Sequence, residues 1–148
     1  MASTHTSLYD HLVFSTKHRE PWFAPDVRPR VHRYLGGVIR GIEAVAHAVG
    51  GVGDHVHVST GLKAKHRLSD VVREMKSESS KWVKDELGLV GFAWQEGYGA
   101  FSFGAGDLEN VNAYVLAQEE HQRQISFQDE YVAMLTRGLV EYDEEYFW

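Results

Sequence analysis

The chain has no cysteine. That removes disulfide frameworks, thiolate zinc sites and thiol nucleophiles, and it is compatible with a reducing cytosol. Proline is scarce, with three residues, two of which (Pro25 and Pro29) bracket a predicted helix start. No Pro/Ser-rich linker, repeat or low-complexity tract divides the sequence, so one compact unit is the simplest organisation. No apolar run approaches the roughly 20 residues that a bilayer demands. The opening Met1–Ser7 lacks the basic start and apolar stretch of a secretory signal. The 148 residues, 43% apolar and 24% charged, suffice for one well-covered core and not for two. A single soluble domain over 1–148, in the cytoplasm, is expected.

The formal net charge is -6, which on its face argues against nucleic acid, because phosphate binding relies on Lys and Arg displacing counterions. The charge is unevenly spread. Residues 1–90 hold 13 Lys and Arg against 10 Asp and Glu, net +3, whereas residues 91–148 hold 2 against 11, net -9. Much of the acid sits in an acidic-aromatic closing segment, about 138–148, with Glu141, Asp143, Glu144 and Glu145. A locally positive surface elsewhere is therefore allowed.

Periodicity gives the elements. Tyr9 to Lys17 alternates as a strand, and Val27, Val31, Tyr34, Leu35, Val38, Ile39 and Ile42 follow at helical spacing. Ala44–Val49 and His55–Thr60 flank a glycine-rich turn and predict a hairpin. Leu68, Val71, Val72, Met75, Ser79, Trp82, Val83 and Leu87 then trace a helix whose other face carries Arg73, Lys76, Ser77, Ser80, Lys81 and Lys84. A strand over about Tyr98–Phe103 precedes a last helix, capped by Asp107 and running to about His121. The order β-α-β-β-α-β-α predicts an α+β, ferredoxin-like (RRM-like) sheet of four antiparallel strands. Helices are expected on one face, with the other open to a ligand.

His55-Val56-His57 is the sharpest chemical feature. Strand alternation projects both imidazoles to the same side, where they can share one metal ion if a third ligand approaches from another element. Tyr114, Gln118 and His121 fall at i, i+4 and i+7 of the last helix. An amide oxygen and a phenol one turn apart can face one ion. A phenol is a weak nucleophile at neutral pH, but it can attack a phosphodiester whose charge a divalent ion withdraws. Ligand softness alone suits manganese or zinc at least as well as magnesium.

Six blocks in order give this arrangement a family likeness: His11-Leu-Val-Phe-Ser-Thr-Lys-His-Arg-Glu-Pro21, Gly53-Asp-His-Val-His-Val58, Val72-Arg-Glu-Met-Lys-Ser77, Trp94-Gln-Glu-Gly-Tyr-Gly-Ala-Phe-Ser102, Tyr114-Val-Leu-Ala-Gln-Glu-Glu-His121 and Phe127-Gln-Asp-Glu-Tyr131. Together they resemble the single-tyrosine transposases of the HUH superfamily, both the small insertion-sequence enzymes and the REP-associated kind. The resemblance implies His55, His57 and Gln118 as ligands of Mg2+ or Mn2+. It implies Tyr114 as the nucleophile that becomes joined to a 5′ phosphate of hairpin-bearing single-stranded DNA, in a homodimer. Ala117 and Gln122 stand where the family often has Asn and His. Lys17, Arg19, Arg73, Lys76, Lys81 and Lys84 are the expected DNA contacts, and Trp22, Trp82, Trp94 and Tyr98 are candidates for base stacking. Two other functions fit the same residues: a module that binds structured nucleic acid without cutting it, and a hydrolase of small phosphate esters.

Overall fold

A computed structural model describes residues 3–143; residues 144–148 of the acidic-aromatic segment lie outside the described residues. The elements run β1 (Leu8–Ser15), α1 (Arg28–Gly41), β2 (Val45–Gly51), β3 (His55–Leu62), α2 (Leu68–Glu86), β4 (Gly99–Phe103), α3 (Leu108–Leu116), α4 (Gln118–His121) and α5 (Phe127–Arg137). The strands form one sheet in the order β2-β3-β1-β4, with every pair antiparallel. This is the α+β arrangement expected from the element order.

Strand register decides what each face carries. Leu12 lies opposite Val58, and Phe14 opposite Val56. Partners across an antiparallel pair share a face, so these four apolar side chains look one way. They meet Val31, Leu35 and Ile39 of α1 and Val71, Val72 and Met75 of α2 in the larger core. Pro29 falls in the first turn of α1, where a missing N–H breaks no helical bond. The other face presents His11 opposite Ser59, Val13 opposite His57, and Ser15 opposite His55.

That second face is covered, which corrects the expectation of an open sheet. Val13 packs with Phe127 and Met134 of α5, and Phe101 and Tyr131 close the cluster. The reason is apolar content: Val13 and Phe101 would otherwise face water. The expected last helix also divides. Ala117, at φ -100° and ψ 21°, interrupts the helical backbone between α3 and α4. Asp107 makes no side-chain cap; residues 105–107 instead form a 3-10 turn that leads into α3. Helix α5 follows, with the Ser126 hydroxyl accepting a hydrogen bond from the Asp129 backbone N–H at 3.1 Å. Among the described residues, no helix is long and apolar enough to cross a membrane.

Helix α3 approaches β2 at backbone distance. A Cβ at Gly50 would overlap the Val115 carbonyl oxygen, whereas one at Gly106 would meet nothing within 4 Å. Gly50→Ala should therefore cost about 1–3 kcal/mol through overpacking, with Gly106→Ala near neutral. Urea denaturation of the two variants beside the wild type checks this, and equal midpoints for both would refute the contact.

Candidate metal and tyrosine site

The site is assembled from three directions. Strand β3 supplies His55 and His57, both with zero exposure, and α5 supplies Glu130, 2% exposed. One ligand atom from each lies within 4.8 Å of the others. Glu130 Oε1 is 3.1 Å from His57 Nε2 and 3.9 Å from His55 Nε2. Tyr114, from α3, donates its hydroxyl to Glu130 Oε2 and lies 3.3 Å from His121 Nε2. The Tyr114 ring meets His57 and His11 edge-on, at centroid separations of 5.7 and 5.8 Å.

The protonation pattern follows from these partners. For Glu130, burial alone would favour the neutral acid. The hydrogen bonds from His57 and Tyr114 outweigh it and pull the pKa down to about 2. His57 is held neutral chiefly by burial. Burial, with His57 adding to it, lowers His11 to about 3. Burial, then the hydrogen bond to Glu130 and its charge, pushes the Tyr114 phenol well above its ordinary value. An ionised Glu130 can only accept, so His57 carries its proton on Nε2. Its bare Nδ1 then accepts from His11 Nε2–H at 2.8 Å.

His55 is bonded the other way round. Its Nδ1 lies 2.8 Å from Asp54 Oδ1, and its buried Nε2 has no hydrogen-bond partner. Asp54 is ionised: burial opposes this, and the bonds from His55 and Arg19 prevail. In the neutral imidazole the proton thus sits on Nδ1, and the bare Nε2 faces a carboxylate oxygen in a dry interior. Two acceptors turned toward one another are stabilised by a cation between them. Two imidazoles and a carboxylate are suitable donors for a divalent transition metal, and they accommodate Mn2+ readily. The residues present therefore fit a metal site.

The sequence-derived candidates fall into distinct places. His55, His57 and Tyr114 come together. Gln118 is buried, 1% exposed; its amide donates to the Tyr114 carbonyl at 3.3 Å and accepts from Gln122 at 3.4 Å. Lys17, Arg73, Lys81 and Lys84 are exposed, and Arg73 pairs with Asp70 at 2.9 Å. Arg19 and Lys76 are engaged inside the fold. Arg19 contacts Asp54 at 3.3 Å. The Lys76 ammonium donates to the carbonyls of Gln95 and Gly97, and burial lowers its pKa to about 8. Arg73, Lys76, Ser77, Ser80, Trp94 and Tyr98 line a groove of 510 Å³ beside α2. Of the aromatic candidates, Trp94 bonds Ser79 at 3.0 Å and packs on Phe14, and Trp82 stacks on Tyr34 at 4.7 Å. Tyr98 is 39% exposed.

Glu130, His11 and Asp54 were not singled out from the sequence. Glu130 had a visible signal: Ser126 three residues before Asp129, with Phe127, Tyr131, Met134 and Leu135 at helical spacing, marks a capped amphipathic helix. His11 and Asp54 become site neighbours only through strand register. A second cleft, of 530 Å³, opens beside the tyrosine and is lined by His11, Phe101, Asn110, Tyr114, Met134 and Arg137.

Comparison with known proteins bears on the family and the fold. The profile of the family described as "Transposase IS200 like" matches residues 4–118. A crystal structure of a candidate transposase from Deinococcus radiodurans R1 is 18% identical in sequence, with a TM-score of 0.66 over 78% of this chain and 93% of that one. A REP-associated tyrosine transposase bound to a REP hairpin is 15% identical, with a TM-score of 0.56 over 78% and 70%. At such identities the likeness establishes the fold. No functionally curated protein matches the sequence.

The Glu130 pKa also sets a stability signature. The carboxyl ionises at about 2 in the fold against an ordinary 4.5. Its contribution is present above pH 4.5 and is lost as the pH falls toward 2. In urea unfolding at pH 6 and pH 3, the stability gap between wild type and Glu130→Gln should narrow at the lower pH. A gap independent of pH would contradict the assignment.

Proposed function

This chain belongs to the IS200-like transposase family, and from that membership, together with the packing of Tyr114 against the imidazole pair, we propose that it cuts and rejoins single-stranded DNA through Tyr114. In this reading, 1–148 is one HUH transposase domain, its substrate is a hairpin-bearing DNA end, and two copies act as a homodimer. The observation that carries it is the meeting of Tyr114 with His57 and Glu130 around a buried, unpartnered His55 Nε2. The REP hairpin bound to one structural neighbour supports the choice of substrate.

His55, His57 and Glu130 would hold the metal, Mg2+ or Mn2+, with Gln118 as the neutral amide donor implied by the family pattern. A divalent cation bound there would supply charge withdrawal from the phosphate. The protein's own groups do the rest. Glu130 Oε2 and His121 Nε2 are the acceptors within reach of the phenolic proton. The Tyr114 oxygen bonds to phosphorus, the bond to the 3′ oxygen breaks, and that oxygen leaves as a protonated hydroxyl. The phosphotyrosine keeps the energy of the broken ester, so attack by a 3′ hydroxyl reverses the step and joins a strand without ATP. Lys17, Arg73, Lys81 and Lys84 lie on the surface as phosphate contacts. Tyr114 meets the histidines of its own chain.

A second reading, a protein that holds structured DNA without cutting, is favoured by one observation: the imidazole pair has no exposure at all. The two readings part in one experiment. Protein, Mn2+ and a labelled hairpin-bearing single strand are incubated and resolved under denaturing conditions. Under the cutting mechanism, wild type forms a covalent adduct with the 5′-phosphate fragment, and Tyr114→Phe and His57→Ala reduce it to background. Hairpin retention with no adduct from wild type would establish the binding-only alternative.

A further inference from the structure

We propose that Asp54, braced by Arg19, is a positioning residue that locks His55 in the tautomer whose Nε2 lone pair faces the site. The inference builds on the metal-dependent reading above and names the residues that prepare one of its ligands.

The two oxygens of Asp54 are divided between two partners. Oδ1 lies 2.8 Å from His55 Nδ1, and Oδ2 lies 3.3 Å from both Arg19 Nε and its terminal nitrogen. A carboxylate only accepts, so in the neutral imidazole the His55 proton is fixed on Nδ1 and Nε2 is the bare nitrogen. That Nε2 is the buried nitrogen without a partner. Orientation is fixed as well. The His55 ring stacks on Phe127 at 3.8 Å and 8°, and the Arg19 guanidinium lies 5.2 Å from the centroid of the same Phe127 ring.

Arg19 reaches Asp54 through an unusual backbone. His18 and Arg19 are consecutive non-glycine residues in the left-handed region, at φ 56° and 55°. Such a conformation persists only where its surroundings enforce it. Thr16, fully buried, supplies the enforcement. Its N–H donates to the Asp54 carbonyl at 2.8 Å, and its hydroxyl lies 2.7 Å from the Glu20 carbonyl and 3.2 Å from that of Asp54. The strained turn and the residue before His55 are thus pinned to each other. This gives Arg19 a role inside the protein beside the DNA contact expected of it.

The isosteric variant Asp54→Asn provides the test. Arg19 donates from Nε to Oδ2 and can only donate, so the Asn amide must turn its oxygen to Arg19 and its NH2 to His55 Nδ1. That geometry moves the His55 proton to Nε2 and blocks the lone pair. Long-range 1H–15N spectra of histidine-labelled, metal-free protein should show Nδ1–H for His55 in wild type and Nε2–H in Asp54→Asn. Mn2+ titration followed by EPR should show affinity about 10- to 100-fold weaker in the variant. An unchanged tautomer overturns the proposal, as does Mn2+ affinity within about twofold of wild type. Asp54→Ala, which removes the acceptor altogether, should give a mixture of tautomers. Its retention of pure Nδ1–H counts equally against the lock. His57→Ala separates the two levels: if it binds Mn2+ as wild type does, the metal reading fails, while the tautomer spectra still decide the role of Asp54.

Discussion

The carboxylate of Glu130, buried against two imidazoles and a phenol, is the contact on which the rest of the molecule turns. An ionised group with so little exposure is costly unless every lone pair is used. Here, His57 and Tyr114 satisfy it directly. Gln122 also donates to Oε1, at 3.1 Å, and the same oxygen lies 3.9 Å from His55 Nε2. A cation between these two acceptors would relieve their meeting. Burial and the same carboxylate keep the Tyr114 phenol protonated.

This arrangement requires both faces of one sheet to do different work. One face is an ordinary apolar core built with α1 and α2. The other carries a polar row, His11, Ser15, His55, His57 and Ser59, with Val13 among them. Buried polar residues of this kind need partners from outside the sheet. Helix α5 provides Glu130 for His57 while covering Val13 and Phe101. The cover over the histidines is thus both a packing necessity and the source of the acid that meets them.

Much of this was legible from sequence, and the remainder failed for identifiable reasons. Strand alternation placed His55 and His57 on one face, and helical periodicity gave α1 and α2 nearly to their ends. Tyr114 was legible because its spacing to Gln118 matched a family pattern. The break at Ala117 was not, because alanine is a strong helix former and nothing in its neighbours marks an interruption. Helix α5 carried readable capping and periodicity, but the expectation of an open sheet gave it no surface to cover. Lys76 was legible as a cation on the outer face of α2 and a candidate DNA contact. That its ammonium donates to the carbonyls of the 95–97 loop was not, because the loop is distant in sequence. His11 and Asp54 required register, which periodicity alone does not supply.

The missing side chain at Gly50 has a consequence for how this protein can change over time. Because main chain rests on main chain where α3 crosses β2, the height of the tyrosine above the sheet is set by atoms that every amino acid shares. Outward-facing positions of that helix, such as Leu116 at 67% exposure, can drift to suit new DNA ends or new neighbours while the distance from phenol to imidazole stays put. Recognition can diversify without retuning the chemistry, provided that this one glycine is kept.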